Sequence, residues 1–142
     1  MSRTYLALLH YDGGDFVGWQ RQPCGRSVQA EVEGVLERLC GRRIVAHGAG
    51  RTDAGVHALM QVAHFDTTAV RPEEAWVLGG SAAAADDLSV LWAREVPGDF
   101  HARFSALSRT YRYRILNRRI RPALERHRSC WIRRPVDAAA MH

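Results

Sequence analysis

The stretch IVAHGAGRTDAGVHALMQVAHF, residues 44–65, holds two apolar segments on either side of a loop with few apolar anchors. Residues 44–47 and 59–65 are short and largely apolar, which predicts a strand at each. They are joined by residues 48–58, a segment that we name the aspartate loop. The elements on either side of this stretch decide the fold class.

The aspartate loop combines three glycines with Arg51, Asp53 and His57. Glycine allows a positive φ or a close approach of the backbone to a ligand. The Asp53 carboxylate is suited to three roles: general base, covalent nucleophile, or capping group of a turn. Arg51 is suited to pair with Asp53, or to hold a phosphate while Asp53 acts on the attached nucleoside. His57 is either an acid–base group or a structural histidine at the start of a strand.

A strand and a helix are predicted before this stretch. Residues 5–11 are apolar and read as a buried strand. The polar, glycine-rich segment that follows, residues 12–27, carries Trp19, which we expect to be exposed. Ser27 is suited to cap a helix that ends at Gly41, with valines and leucines on one face at helical spacing.

A second helix and two strands are predicted after it. Pro72 is typical of a helix start. Residues 89–96 read as a strand, and residues 109–116 alternate aromatic and arginine side chains as a strand does, with Tyr111 on one face. The order strand, helix, strand, strand, helix, strand, followed by a further strand, predicts an α+β fold: a ferredoxin-like split β-α-β unit with a mainly antiparallel sheet. The segment from Trp131 to the end reads as the opening of a further helix, with Asp137 near its start.

Composition indicates a soluble globular protein. The chain has 142 residues, of which 46% are hydrophobic and 25% charged, enough for a real core. No apolar run approaches the length that a membrane span needs, so no membrane partner is expected. Three widely spaced cysteines form no metal or disulfide pattern. We therefore expect no metal site and a reducing, cytoplasmic location.

The charge is distributed unevenly. All 20 basic residues are Arg. Residues 1–100 hold 9 Arg against 13 acidic residues, whereas residues 101–142 hold 11 Arg against 2. Codon bias explains the lack of Lys but not the lack of acids in the last third. The excess of positive charge favours a polyanionic partner, most often a nucleic acid.

Five segments of the sequence carry a resemblance to a known family. The loop sequence GRTDAGVHA at 50–58 resembles the signature of the TruA family of tRNA pseudouridine synthases. Four further segments agree with that family in order and spacing: YDGGDFVGWQRQ at 11–22, SVQAEVEGVL at 27–36, DFHARFSA at 99–106 and RTYRYRI at 109–115. The resemblance extends over essentially the whole chain and implies the N-terminal half of a pseudouridine synthase fold.

The resemblance implies roles for three residues. Asp53 matches the catalytic aspartate that isomerises uridine to pseudouridine, acting as a nucleophile on the sugar or on the base. Arg51 matches the arginine beside it, which contacts the RNA and helps to hold the uridine out of its stack. Tyr111 matches the tyrosine that stacks on the target base, although from the residues alone it reads as a core side chain. The family uses no cofactor, metal or energy source.

The resemblance also implies the substrate and the assembly. The family acts on the anticodon stem-loop of tRNA, at positions 38 to 40, and its members are homodimers. Arginines of the C-terminal third are then candidates for phosphate contacts, although each alone reads equally well as a solvated surface charge. These candidates are Arg112, Arg114, Arg118, Arg119 and Arg121.

The chain is shorter than members of that family, which are about twice as long. We assign residues 1–116 to a catalytic N-terminal domain and residues 117–142 to an arginine-rich connection at the start of a truncated second half. In the family that half supplies a basic residue that pairs with the catalytic aspartate. The alternatives are a non-catalytic RNA-binding module or an inactive fragment. Two positions depart from the family pattern: Ser81, where Asn is usual, and Ala84, near a usual Pro.

Overall fold

The computed structural model describes all 142 residues, which form two compact units, Met1–Ser108 and Arg109–His142. Residues 109–116, which the sequence analysis assigns to the first domain, belong to the second unit. The first unit contains four strands and two α-helices. Their bounds are β1 (Arg3–Tyr11), α1 (Val28–Cys40), β2 (Ala46–Gly48), β3 (Ala58–Thr67), α2 (Glu73–Ala83) and β4 (Leu88–Val96).

The first unit is a split β-α-β sheet, as predicted. Its strands lie in the order β2-β3-β1-β4, and every neighbouring pair is antiparallel. The two β-α-β units are β1-α1-β2 and β3-α2-β4. In the sheet, β3 lies between β1 and β2, and β1 lies between β3 and β4, so the two strands of each unit are separated by one strand of the other unit. The α+β class and the mainly antiparallel sheet are therefore confirmed.

The core lies between one face of the sheet and the two helices. β1 occupies an inner position in the sheet and buries every second side chain: Tyr5, Ala7, Leu9 and Tyr11. This alternation places them on one face, where they join the core residues of both helices. Burying each large apolar side chain contributes about 1.5–3 kcal/mol, so this face contributes much of the stability of the unit.

Helix α1 begins and ends where its sequence predicts. The Ser27 hydroxyl accepts the Ala30 N–H at 3.1 Å, which satisfies one of the free amides of the first turn. Gly41 ends the helix with φ +71°, a conformation that costs glycine little. Between them the valine and leucine face is buried from Val28 to Leu36, as the spacing indicates.

Two polar side chains of α1 hold the short edge strand β2. Glu33 is buried, and its Oε1 accepts the Ala46 N–H at 3.1 Å. One turn earlier, Gln29 Nε2 donates to the Ala46 carbonyl oxygen at 3.0 Å. Arg21 pairs with the second carboxylate oxygen of Glu33. Both backbone groups of Ala46 are thus bonded to side chains of the helix, which protects the edge of the sheet and fixes the entry to the aspartate loop.

We expect Glu33→Leu to destabilise the protein by about 2 kcal/mol, because it leaves the buried Ala46 N–H without an acceptor. Glu33→Gln retains an acceptor oxygen and is expected to cost less than Glu33→Leu. Urea unfolding measures both, with Glu37→Leu on the exposed side of the same helix as the control. Equal losses for Glu33→Leu and Glu37→Leu would show that the contact with β2 contributes nothing.

A bidentate ion pair holds residues 12–27, which we name the β1–α1 loop, to the start of β4. The Arg26 guanidinium donates to both Asp87 carboxylate oxygens at 2.6 and 2.8 Å and lies over the Phe16 ring at 4.2 Å. These hydrogen bonds lower the pKa of Asp87 and raise that of Arg26. The Asp12 N–H also donates to the Asp87 carbonyl oxygen at 3.0 Å. The β1–α1 loop is therefore anchored at both of its ends.

Helix α2 packs closely on β4 through small residues. It begins directly after Pro72 and continues to Ala83. A Cβ at Gly80 would lie 3.0 Å from a Val90 methyl carbon, so the helix lies close to the strand. The Ser81 hydroxyl accepts the Val90 N–H at 3.0 Å and donates to the Val90 carbonyl oxygen at 3.1 Å. The serine that departs from the family pattern therefore bonds α2 to β4 itself.

Two expectations from the sequence are wrong. Trp19 is buried, not exposed, because its indole lies over Gly48, where a Cβ would be 2.6 Å from the ring. The strand predicted for residues 109–116 is reduced to its last two residues, within β5 (Ile115–Asn117). Alternating side chains indicate which faces a strand would have. A strand also needs a neighbouring strand to pair with, and the pairing with a second strand begins only at Ile115.

The second unit contains little regular structure. β5 pairs in parallel with β6 (Cys130–Ile132), which the sequence did not indicate. Asn117 Nδ2 donates to the Ile132 and Arg134 carbonyl oxygens at 2.8 and 2.7 Å. The helix expected near Asp137 is a single 3₁₀ turn, Ala139–Met141, and the Asp137 carboxylate accepts the Ala139 N–H at 3.0 Å.

Candidate functional site

The aspartate loop connects β2 and β3 and is bonded to the sheet near both of its ends. The Ala49 N–H donates to the Val62 carbonyl oxygen at 2.8 Å, and Gln61 Nε2 donates to the Gly50 carbonyl oxygen at 2.7 Å. Val62, which accepts the first bond, and Gln61, which donates the second, both belong to β3. The loop therefore has a defined path although it contains few apolar side chains.

The β1–α1 loop supports the aspartate loop from the other side. Gly18 forms an isolated antiparallel bridge with Asp53. The Trp19 N–H donates to the Thr52 carbonyl oxygen at 3.0 Å, and the Gly55 N–H donates to the Phe16 carbonyl oxygen at 3.3 Å. The backbone on both sides of Asp53 is thus held by a second loop, an arrangement that the sequence did not reveal.

Glycines make this contact between the two loops possible. Gly18 has φ +109°, and a Cβ there would lie 2.5 Å from the Thr52 carbonyl oxygen. A Cβ at Gly13 would lie 2.0 Å from the Val56 carbonyl oxygen. Gly55 adopts φ +80°, the positive φ that was one of the two reasons expected for the glycines of the aspartate loop. The segment YDGGDFVGWQRQ therefore serves to bring backbone against backbone next to Asp53.

Side chains support the loop as well. The Tyr11 hydroxyl, at the buried end of β1, lies 2.9 Å from the Thr52 hydroxyl, within hydrogen-bond distance. His57 Nδ1 accepts the Gly13 N–H at 2.9 Å. This contact supports a structural role for His57, one of the two roles considered for it. Sequence reasoning missed Tyr11 and Gly13 as neighbours of the site. Their only signal was membership of the motif that follows the first strand.

The Asp53 carboxylate itself is exposed and unpaired. No side chain or backbone donor bonds to it, and Arg51, also exposed, forms no ion pair with it. The Asp53 side chain therefore does not cap a turn, which was one of the three roles considered for it. A carboxylate that makes no contact of its own, on a backbone held from two sides, is available to a ligand.

The other predicted site residues lie in the second unit. Tyr111 is exposed, and so are the five arginine candidates Arg112, Arg114, Arg118, Arg119 and Arg121. Arg114 lies 3.4 Å from Glu125, and Arg118 Nε donates to the Ile120 carbonyl oxygen at 2.8 Å. Arg51 and Asp53 share one loop, whereas a place for Tyr111 beside them stays a prediction.

Three histidines cluster on the sheet at β2 and β3. The His64 ring lies 4.9 Å from His47 and 4.5 Å from His101, measured between ring centroids. His64 Nδ1 accepts the Ala102 N–H at 3.0 Å, which holds the segment DFHARFSA to β3. No group of His, Cys, Asp and Glu residues is arranged to hold a metal ion. The cluster is an aromatic stack that joins this segment to the sheet.

We expect the stability of the protein to decrease as the pH is lowered through the titration range of histidine. Burial, followed by the neighbouring His47 and His101, lowers the pKa of His64. The unfolded chain then binds more protons than the folded chain, so the contribution is fully present above the ordinary histidine pKa and is lost below it. Urea unfolding at pH 7.5 and pH 5 measures the change.

His64→Asn retains an acceptor oxygen for the Ala102 N–H but cannot be protonated. We expect its free energy of unfolding to depend less on pH than that of the wild type. His10→Asn, at an exposed position of β1, is the control and should retain the wild-type dependence. An unchanged pH dependence in His64→Asn would assign the effect to another group.

Fold and site together define a class of protein: a split β-α-β domain that presents a free carboxylate on a glycine-supported loop between two strands. None of its helices is long and apolar enough to cross a membrane. Residues 7–105 match the family model described as tRNA pseudouridine synthase. This chain belongs to the tRNA pseudouridine synthase family.

Relatives from several bacteria agree with that assignment. The chain is 50% identical over 136 residues to a protein of Nitrosomonas eutropha named tRNA pseudouridine synthase A, covering 96% of the chain and 49% of that protein. A protein of the same name from Chromobacterium violaceum is 51% identical over 134 residues, which cover 94% of the chain and 51% of that protein. Another, from Coxiella burnetii, is 48% identical over 141 residues, which cover 99% of the chain and 54% of that protein. The chain thus spans about half the length of these relatives.

Proposed function

We propose that this chain carries the catalytic aspartate of a tRNA pseudouridine synthase and that Asp53 acts on a uridine of the anticodon stem-loop, at positions 38 to 40. The observation that carries the proposal is the free, exposed Asp53 carboxylate on a backbone bonded to Gly18 and to neighbouring β1–α1 loop residues. The related proteins are named tRNA pseudouridine synthase A, which supports tRNA as the substrate.

The reaction is an isomerisation and needs no net input of atoms or electrons. The bond from ribose C1′ to N1 of the uracil breaks, the base turns, C5 joins C1′, and the proton on C5 is lost while N1 gains one. Asp53 acts as the nucleophile, either on C1′ or on the base. Because the backbone of Asp53 is already held in place, less freedom is lost when its carboxylate forms that bond, which favours the attack.

The target uridine has to leave its stack to reach a carboxylate on a surface loop. Arg51, two residues from Asp53, is suited to hold the adjacent phosphate and keep the uridine extruded. Tyr111 is suited to stack on the freed base and to stand near the C5 proton. No cofactor takes part in this scheme.

The substrate proposal is also supported by charge. The exposed arginines Arg112, Arg114, Arg118, Arg119 and Arg121 lie in a segment with few acids, which suits the phosphates of a tRNA stem. In the complete protein we propose a homodimer that works in the cytoplasm. A non-catalytic RNA-binding module or an inactive fragment would retain this arginine-rich surface but would not form pseudouridine. An activity assay therefore distinguishes the enzyme from both alternatives.

The test is tritium release from an unmodified anticodon stem-loop that carries uridine labelled at C5, incubated with this chain. Release of the label from a uridine at one of positions 38 to 40 would support the proposal, because forming the bond between C5 and C1′ displaces the hydrogen on C5. Binding of the RNA without release would favour a non-catalytic RNA-binding module. Neither binding nor release would favour an inactive fragment.

A further inference from the structure

A single nitrogen of His57 faces both a donor and an acceptor. His57 Nδ1 lies 2.9 Å from the Gly13 backbone nitrogen and 3.1 Å from Asp12 Oδ1. An imidazole nitrogen carries either a lone pair or a proton, so it cannot serve both partners at once. The protonation state of His57 therefore decides which contact is a hydrogen bond.

The neutral ring bonds to Gly13. Its unprotonated Nδ1 accepts the Gly13 N–H, and Asp12 Oδ1 remains occupied by the Gly14 N–H, which it accepts at 3.0 Å. The protonated ring instead donates from Nδ1 to Asp12, as a charge-assisted hydrogen bond. The Gly13 N–H then loses its acceptor. The charged residues of the two loops that meet here are Asp12, Asp15, Arg21 and Arg26 on the β1–α1 loop, and Arg51 and Asp53 on the aspartate loop. Arg21 is paired with Glu33 and Arg26 with Asp87.

The Gly13 contact reaches Asp53 through one further residue. Gly13 lies against the Val56 carbonyl with no space for a Cβ, and the Val56 N–H donates to the Asp53 carbonyl oxygen at 3.1 Å. Movement of Gly13 away from His57 therefore changes the support behind the turn that presents Asp53. The same turn is bonded to Phe16 and Gly18, so the change is local and does not unfold the loop.

We propose that His57 is a positioning residue for Asp53 whose hydrogen bond to Gly13 is exchanged for one to Asp12 when the imidazole is protonated. This inference rests on the proposed function of Asp53. The neutral form supports the aspartate loop and the protonated form releases it, so protonation of the imidazole lowers the activity. His57 itself contacts no reacting atom in this scheme.

The test uses two substitutions of His57. His57→Asn places an amide oxygen where Nδ1 accepts the Gly13 N–H and cannot be protonated, whereas His57→Phe removes the acceptor. Between pH 5 and 8, the ¹⁵N–¹H signal of Gly13 and the imidazole nitrogen shifts of His57 report the hydrogen bond directly. Tritium release reports kcat in the same variants, with His10→Asn as the control.

We expect the Gly13 signal of the wild type to titrate together with His57 and to be independent of pH in His57→Asn. In the assay, kcat of the wild type should fall when His57 is protonated within the pH series, and that of His57→Asn should lose this decline. The kcat of His57→Phe should be lowered about tenfold throughout, the loss of one hydrogen bond.

A ¹⁵N–¹H signal of Gly13 that does not change when His57 is protonated would overturn the proposed exchange of hydrogen bonds. Equal kcat and equal pH profiles in His57→Asn and His57→Phe would overturn the positioning role. Tritium release from none of the variants, with the Gly13 signal still titrating, would overturn the proposed function of Asp53 and leave the exchange established. The two failures are therefore distinguishable.

Discussion

Asp53→Asn is expected to lower pseudouridine formation by at least about a thousandfold, since an amide of the same shape cannot act as the nucleophile. The same substitution is expected to change the free energy of unfolding by no more than about 0.5 kcal/mol, because surface changes away from bonded groups have small effects. The Asp53 side chain is exposed and makes no hydrogen bond, so its loss removes no contact. A large loss of activity without a loss of stability is the expected result for a residue that acts only on substrate.

Tritium release under single-turnover conditions and urea unfolding measure the two quantities. Asp86→Asn is the matched control, since Asp86 is also an exposed aspartate in a turn without bonded partners. It should leave both quantities at the wild-type values. Retention of more than a tenth of the wild-type rate in Asp53→Asn would contradict the assignment of Asp53 as the catalyst, whatever the stability of the variant.

Gly13→Ala is expected to destabilise the protein by about 3 kcal/mol, the upper range for forcing extra atoms into a filled space. The added Cβ would lie 2.0 Å from the Val56 carbonyl oxygen, and both are backbone positions that no rotamer change can separate. The two loops have to move apart, which also removes the contact of Gly13 with His57. Activity should fall with stability, because the aspartate loop loses its support.

The neighbouring glycine provides the control. A Cβ at Gly14 meets only the Asp12 carboxylate oxygen, at 3.1 Å, and that oxygen can shift with its side chain. Thermal or urea unfolding should therefore place Gly14→Ala much nearer to the wild type than Gly13→Ala. Similar stabilities of the two variants would show that the β1–α1 loop and the aspartate loop are not in contact at Gly13.

Much of the fold follows from local sequence. Ser27 and Gly41 mark the ends of α1 because capping depends on neighbouring residues alone. The short strands around the aspartate loop and the order of the elements also follow from local apolar patterns. The strand predicted for residues 109–116 failed for the complementary reason: alternation is local, but a strand exists only where a second strand accepts its hydrogen bonds.

The candidate site divides in the same way. The sequence by itself determined the position of Asp53, the residue types beside it and the family, because these are properties of one continuous motif. The tertiary structure alone decided what holds that motif in place: Tyr11 at Thr52, Gly18 at Asp53, Gly13 between His57 and Val56, and the buried Trp19 over Gly48. These partners are far apart in sequence. Their contacts arise only when the sheet brings the β1–α1 loop against the aspartate loop, and that requires backbone approaches which no local pattern encodes.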